Sequence, residues 1–227
     1  MSTKTFPTLN SEQIAFDRGY QFLLGIDEVG RGSLAGPVAV GISVLDAANL
    51  ATPWPPGLRD SKLLSESARE SLFIPVQNWV RGWAVGMASA AEIDEFGIVV
   101  GLQLAGERAY SQLQSSGVFG VTATARAGIL DGSHNWLTGR LGDVAIRTQV
   151  KADRDCVSVA AASVLAKVVR DHMLIELGSE SENLVYDWIG NKGYSSPKHL
   201  TALRELGPAE QHRKTWLGKI LNDDHLF

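Results

Sequence analysis

Gly25-Ile26-Asp27-Glu28-Val29-Gly30-Arg31-Gly32 sets two adjacent carboxylates at the end of an apolar run and follows them with a glycine-arginine-glycine turn. Phe22, Leu23, Leu24 and Ile26 supply the apolar residues a buried strand needs, and Gly25 admits another backbone at close range. Asp27 therefore stands at or near a strand end. Side chains alternate across a strand, so Asp27 and Glu28 splay apart unless the strand breaks up there or a ligand gathers them. Neighbouring Gly30 and Gly32 favour a ligand. Hard carboxylate oxygens select Mg²⁺ or Mn²⁺, which take one or two protein carboxylates together with waters and phosphate oxygens. Standing alone, an Asp-Glu pair before a turn is more often a solvated surface feature, so the rest of the chain has to decide.

Outward from that stretch, Gly36-Pro37 marks a turn and Val38 to Leu45 forms a second apolar run, so Leu23 to Leu45 reads as a hairpin. Pro53, Pro55 and Pro56 make an irregular loop. Asp60-Ser61-Lys62 follows, and Ser65 is placed to cap a helix. Trp79 to Ala88 is expected as a third strand. The spacing of Ile93, Phe96, Val100, Leu104 and Leu113 suits one or two helices between Ala91 and Gln114. Ala127 to Leu130 is a short strand ending at Asp131, and Val144 to Val150 is a fifth. Val157, Ala161, Val164, Leu165, Val168 and Leu174 then define the apolar face of a long helix, with Ser163, Lys167 and Arg170 together on another face. Beyond Gly178 the pattern is helical in pieces, broken at Asn191 to Pro197 and at Gly207-Pro208. An early hairpin followed by strands alternating with helices indicates an α/β protein with a mixed sheet.

The chain of 227 residues, 44% hydrophobic and 20% charged, is long enough for one full core. No apolar stretch is long enough to cross a bilayer, Met1 to Asn10 lacks the apolar core of a secretory signal, and Cys156 is the sole cysteine. A reducing cytoplasm is the expected location. A net charge of -4 speaks against indiscriminate nucleic-acid binding. Between Gly190 and Lys219, however, Lys192, Lys198, Arg204, Arg213, Lys214 and Lys219 outnumber Glu205 and Glu210, which leaves either a local basic patch or an ordinary solvated face.

Asp131 repeats the opening pattern, an apolar strand ending in a carboxylate beside glycine, and Lys151-Ala152-Asp153 brings a further acid to the start of the long helix. Four acids gathered without compensation repel one another and hold protons, and divalent cations reverse that. Two such ions about 4 Å apart serve in-line phosphoryl displacement. No Ser-His-Asp order, CxxC or Walker lysine motif competes for the chemistry.

With these residues in view the chain resembles the bacterial type 2 ribonucleases H, the ribonuclease HII family. The resemblance runs from Gly25 to about Trp216 and is carried by GIDEVGRGSLAGPV at Gly25 to Val38, DSKLLSE at Asp60 to Glu66, LDG at Leu130 to Gly132, KADRDCVSVAAASVLAKVVRD at Lys151 to Asp171 and NKGYSSPKHL at Asn191 to Leu200. It implies a ribonuclease H-like fold, a mixed five-stranded sheet flanked by helices with a helical C-terminal segment. The implied organisation is an extension over residues 1–20, a catalytic domain over 21–216 and a tail over 217–227.

It further implies Mg²⁺ or Mn²⁺, two ions during catalysis, held by Asp27, Glu28, Asp131 and Asp153. Asp155 is the rival for the fourth place and is expected to cap or precede the helix instead. By the same resemblance the backbone of Gly30, Arg31 and Gly32 meets the ribose 2′-hydroxyl, Tyr194 packs on the sugar at the RNA-to-DNA junction, and Lys62 and Lys167 lie near the nucleic-acid backbone with Ser61 and Ser163 as donors. The group separating RNA from DNA is the 2′-hydroxyl, and a backbone reader of it is indifferent to base sequence. Arg170 with Asp171 has an alternative as a structural ion pair, His199, His212 and Arg213 have one as supports of the fold, and Cys156 is expected to be a small buried residue.

The implied function is an endoribonuclease that cuts the RNA strand of RNA/DNA hybrids, and the 5′ side of ribonucleotides embedded in duplex DNA, leaving 5′-phosphate and 3′-hydroxyl ends. Ribonuclease HIII, a hybrid-only enzyme, is the nearest rival; Arg31 and an N-terminus of about twenty residues before the first strand argue against it. A non-catalytic hybrid-binding module is the rival from another class. A monomer is expected. The closing Asp223-Asp224-His225-Leu226-Phe227 faintly resembles peptides that dock on the bacterial sliding clamp, although the expected glutamine is missing.

Overall fold

The structure, a computed structural model, describes residues 6–120 and 125–222. After α1 (Asn10–Asp17), the strands β1 (Phe22–Val29) and β2 (Val38–Leu45) form the expected antiparallel pair, with Ile26 opposite Ile42. Two helices, α2 (Ala47–Ala51) and α3 (Glu66–Trp79), lead to β3 (Gly82–Ala88), which completes the antiparallel half of the sheet. The Ser65 hydroxyl caps α3 by accepting from the Ala68 N–H. The third strand starts later than expected. Trp79 closes α3, whose apolar Leu72 and Val76 are buried, and pairing begins only where the Arg81 N–H reaches the Val44 carbonyl at 2.9 Å.

The helical stretch after β3 is two helices, α4 (Ala90–Phe96) and α5 (Ile98–Ser115), separated at Gly97. Ser89 and Glu92 cap α4 reciprocally, each side chain meeting the other's backbone N–H. Strands β4 (Arg126–Asp131) and β5 (Ala145–Gln149) then add in parallel beyond β1, giving the order β3-β2-β1-β4-β5. Short α6 (Ala152–Asp155) and long α7 (Val157–Ser179) follow, and α8 (Trp188–Asn191), α9 (Pro197–Leu206) and α10 (Gly218–Asn222) make the helical C-terminal part.

Helix α5 covers the sheet face that carries Leu24, Ile26, Val40 and Ile42, while α7 covers the opposite face with Val157, Ala160, Ala161 and Val164. The alanine-rich run of α7 lies close to the sheet. A side chain at Gly25 would collide with the backbone of Ser158 and Val159, so the glycine one step before Ile26 sets how near α7 approaches β1. Leu34, Ala35, Leu174, Trp188, Leu203 and Leu217 form a separate cluster that fastens the C-terminal part to the loop after β1. Among the described residues no helix is long and apolar enough to cross a membrane.

The segment before β1 is packed against the start of α7. Thr8 pairs with Cys156 as an isolated parallel bridge, and Glu12, fully buried, accepts from the Ser158 N–H at 2.9 Å and its hydroxyl at 2.8 Å. Glu12 thus caps α7, and Asp155, expected to cap or precede that helix, precedes it. Asp155 closes α6, is exposed, and makes no capping bond at α7.

Candidate active site

Parallel pairing of β1 with β4 sets Ile26 beside Leu130, so the next residues, Asp27 two places before the end of β1 and Asp131 at the end of β4, come to the same edge of the sheet. Asp27 is 3% exposed and its Oδ1 accepts the Glu28 N–H at 2.9 Å, while Glu28 turns to the more open side, 3.6 Å from Arg31. The strand persists to Val29, so the two carboxylates are splayed as alternation requires. The Asp131 Oδ1 accepts the Ala152 N–H at 2.7 Å, tying α6 to the end of β4. That bond delivers Asp153, one residue on, to the same edge.

Asp60 completes the cluster. It is 6% exposed, caps the 3-10 turn at Ser61–Leu63 by accepting the Lys62 N–H at 2.9 Å, and meets the Asp153 carboxyl. The sequence reading passed over it, although it stands two residues before Lys62 in a motif already singled out. Lys62 reaches in from the rim, its Nζ 3.7 Å from the Asp153 Oδ2.

The electrostatics follow from burial first and crowding second. Burial, then Glu28, raises the Asp27 carboxyl well above its ordinary range, against the pull of Lys62 and a hydrogen bond from Ser163. Burial, then Asp131 and Asp60, lifts Asp153 to about 6. Burial also raises Glu28, with Arg31 opposing. Burial works against the Lys62 ammonium, yet Asp27, Asp153 and Asp60 together raise its pKa. Such a set of hard oxygen donors, short of positive charge, fits a divalent cation. It is an open rim: among the described residues no three acidic, histidine or cysteine side chains close into a cage.

Ser163 is 1% exposed, and its hydroxyl serves Asp27 while receiving Ser61, the two Oγ atoms 2.8 Å apart. Lys167 is committed to Asp171 at 2.6 Å, and Asp171 also faces Arg69 at 3.8 Å. The Arg170–Asp171 ion pair is therefore not formed. Arg170 instead turns to the loop after β1, bonding the Pro37 carbonyl at 2.9 Å and the Ser33 hydroxyl at 2.7 Å.

Gly30 and Gly32 in that loop differ. Gly30 has φ +79° and any side chain on it would strike the Arg170 guanidinium, whereas nothing lies within 4 Å of the position a side chain at Gly32 would take. Open approach belongs to Gly32; internal packing demands Gly30. Tyr194 lies beside this loop, its ring centre 5.5 Å from the Arg170 guanidinium and 5.8 Å from the Lys167 Nζ. Its carbonyl accepts from His199 Nδ1 at 2.8 Å, and His199 in turn meets His212, the Nε2 atoms 2.9 Å apart. A cleft of 580 Å³ continues from Glu28, Arg31 and Asp131 past His134 and Asn135 to Trp136. Cys156 is fully buried, and burial pushes its thiol up to about 12.

Two neighbouring parallel strands that bring acids to one edge of a mixed five-stranded sheet, with a third acid brought in by the following helix, define a ribonuclease H-type hydrolase. Residues 24–219 match the family model for ribonuclease HII, and the chain belongs to that family. It is 43% identical over 199 residues to the ribonuclease HII of Streptomyces griseus subsp. griseus, covering 87% of this chain and 78% of that protein. Among solved structures it resembles the ribonuclease HII of Archaeoglobus fulgidus in complex with PCNA, at a TM-score of 0.66 and 26% identity over 86% of this chain and 93% of that one. It shares the fold of Bst-RNase HIII in complex with Mn²⁺, at a TM-score of 0.63 and 22% identity over 87% and 67% of the two chains. The protein is a ribonuclease H, a metal-dependent nuclease acting on RNA/DNA hybrids.

Proposed function

We propose that the enzyme also cuts on the 5′ side of single ribonucleotides embedded in duplex DNA, leaving 5′-phosphate and 3′-hydroxyl ends, with Asp27, Glu28, Asp131 and Asp153 as its metal ligands. The observation that carries this reading is the meeting, at one sheet edge, of Asp27 and Asp131 with an exposed turn at Arg31-Gly32 that leaves room for a sugar. Two Mg²⁺ or Mn²⁺ ions bound at the acids would supply the activated water and neutralise the charge that builds on the phosphate.

The chain's own groups do the remainder. Ser163 orients Asp27, and Lys62 faces the acids from the open rim. The backbone of Gly30, Arg31 and Gly32 receives the 2′-hydroxyl, and Tyr194 packs on the neighbouring sugar, held at its own carbonyl by His199. Lys167, committed to Asp171, shapes the cleft beneath Tyr194 and adds positive charge for phosphates.

Residues 21–216 constitute the catalytic unit, working as a monomer in the cytoplasm. The clamp-docking motif at Asp223 to Phe227 lies outside the described residues. The archaeal relative seen with PCNA supports a clamp contact for it, which fails if deleting those five residues leaves clamp binding unchanged.

The test is a DNA duplex carrying one ribonucleotide, incubated with Mn²⁺, Mg²⁺ or chelator, and the cut mapped to the nucleotide. A metal-dependent nick on the 5′ side of the ribonucleotide is expected. Cleavage of long RNA tracts alone would replace this reading with the hybrid-only one.

A further inference from the structure

The turn that faces the cleft is held from behind by two arginines, both fully buried. Arg213, from the segment after α9, donates through Nη2 to the Gly30 carbonyl at 2.7 Å and the Gly36 carbonyl at 3.1 Å, through Nη1 to the Arg31 carbonyl at 2.8 Å, and through Nε to Gly36 again at 3.2 Å. Arg170, from the middle of α7, holds the far limb of the loop at Ala35 and Pro37 and the carbonyl of Lys192. It also bonds the Ser33 hydroxyl, which itself donates to the Gly30 carbonyl at 2.9 Å. Among the described residues, every hydrogen-bond partner of both guanidiniums is a carbonyl or hydroxyl oxygen. A buried charge without a carboxylate is costly, so its place in the fold asks for a reason.

Peptide geometry supplies one. In a trans peptide the C=O and the next N–H point in opposite directions. The Gly30 carbonyl and the Arg31 N–H share one peptide plane; the Arg31 carbonyl and the Gly32 N–H share the next. By drawing both carbonyls inward, Arg213 turns the Arg31 and Gly32 N–H groups outward, and neither has an acceptor among the described residues. The two positive charges behind the turn also favour an oxygen in front of it.

We propose that Arg213, braced by Arg170 through Ser33, is the positioning residue for ribose recognition: it fixes the two peptide planes whose N–H groups meet the 2′-hydroxyl. The C-terminal part thereby sets sugar specificity without touching the substrate. This rests on the reading that the turn meets the 2′-hydroxyl, and the experiment separates the two.

The full-length enzyme is tested with Ca²⁺ in place of Mg²⁺, comparing affinity for a duplex with one ribonucleotide against the same duplex in all-DNA form, alongside kcat and KM with Mg²⁺. Lysine cannot hold two carbonyls as the guanidinium fork does. Arg213→Lys is therefore expected to cut the ribonucleotide preference by about tenfold, the worth of one good hydrogen bond, with the loss in KM rather than kcat. An unchanged preference in a folded Arg213→Lys protein would overturn the proposal, since a merely structural role lowers stability but leaves the ratio alone. If that variant does not fold, Ser33→Ala decides. It removes the link from Arg170 to Gly30, and is expected to reduce the preference less severely, whereas an unaltered ratio would count against the clamp. Gly32→Ala tests the underlying reading by itself. Retained preference there would show that the turn does not meet the sugar, whatever Arg213 does.

Discussion

The acid edge and the turn behind it both gather charges of one sign, and they resolve the problem in opposite ways. At the edge, Asp27, Glu28, Asp60, Asp131 and Asp153 face, among the described residues, Lys62 and Arg31, and burial, with the neighbouring acids adding to it, raises the carboxyls of Asp27 and Asp153. Behind the turn, Arg170 and Arg213 satisfy their charge with backbone carbonyls inside the fold. The comparison teaches where each site expects its balancing charge. The edge is left open for something that arrives from solvent, whereas the clamp is complete within the chain. Removing charge should therefore relieve the first region and damage the second.

The largest effect is expected at the edge. Asp27→Asn should lower kcat by more than the roughly 10–100-fold typical of groups that merely support metal ligands. It should leave thermal stability equal or higher, because a buried, repelled carboxylate is replaced by an amide. Steady-state kinetics and calorimetry on one preparation check both halves, and a large fall in melting temperature would erase the contrast with the clamp.

Arg213→Met is expected to do the reverse to stability. It strands the carbonyls of Arg31 and Gly36, leaves that of Gly30 with Ser33 alone, and should cost about 3 kcal/mol or more in urea denaturation. A neutral result would mean that water or a neighbour replaces the guanidinium.

A third effect sharpens the picture of the C-terminal part. His199 Nδ1 donates to the Tyr194 carbonyl, and His212 Nδ1 accepts the Ala209 N–H, so His212 Nε2–H must donate to His199 Nε2. Both rings are neutral in this arrangement. Burial, then His199, lowers His212 from 6.5 to about 4, and burial lowers His199 as well. On acidification the unfolded chain takes up protons first. The stabilisation is therefore whole above pH 6.5 and is lost as pH falls from there towards 4, by about 3 kcal/mol. His212→Gln should flatten that slope in denaturation curves taken across the window; an identical slope would rule out the pair as its source.

The smallest effect belongs to Glu12. One of its oxygens is buried without a partner among the described residues and burial raises its pKa, so Glu12→Gln should shift stability by less than about 1 kcal/mol. Glu12→Ala, which removes the cap on α7, should cost about 1–2 kcal/mol. Equal losses in both would show that the carboxylate charge, not the cap, is what α7 needs.

The edge was legible in the sequence because its signals are local. An apolar run leading to an acid beside glycine places Asp27 and Asp131 at or near strand ends, and they lie two residues before the end of β1 and at the end of β4. The long α7 and the helical stretch after β3, expected as one or two helices and found as two, follow from periodicity of the same kind. The clamp left no local signal. Arg170 meets Pro37 across 133 residues and Arg213 meets Gly30 across 183, and an arginine in a polar stretch reads as surface until its partners are known. The basic run after Gly190, legible as either a patch or a solvated face, is not wholly either. Arg213 and Lys192 are buried, and Lys198 is paired with Asp187. The cap by Glu12 was hidden in the same way, since its partner Ser158 lies 146 residues away while Asp155 stood temptingly adjacent.

The most direct test of the contrast is a crystal structure of the enzyme grown with Mn²⁺, with the metal located by its anomalous scattering. The account predicts manganese bound by Asp27 and Asp131, Lys62 displaced from Asp153, and the Arg213 bonds to Gly30 and Arg31 unchanged. Manganese absent from those carboxylates, or a turn that repacks when it binds, would contradict it.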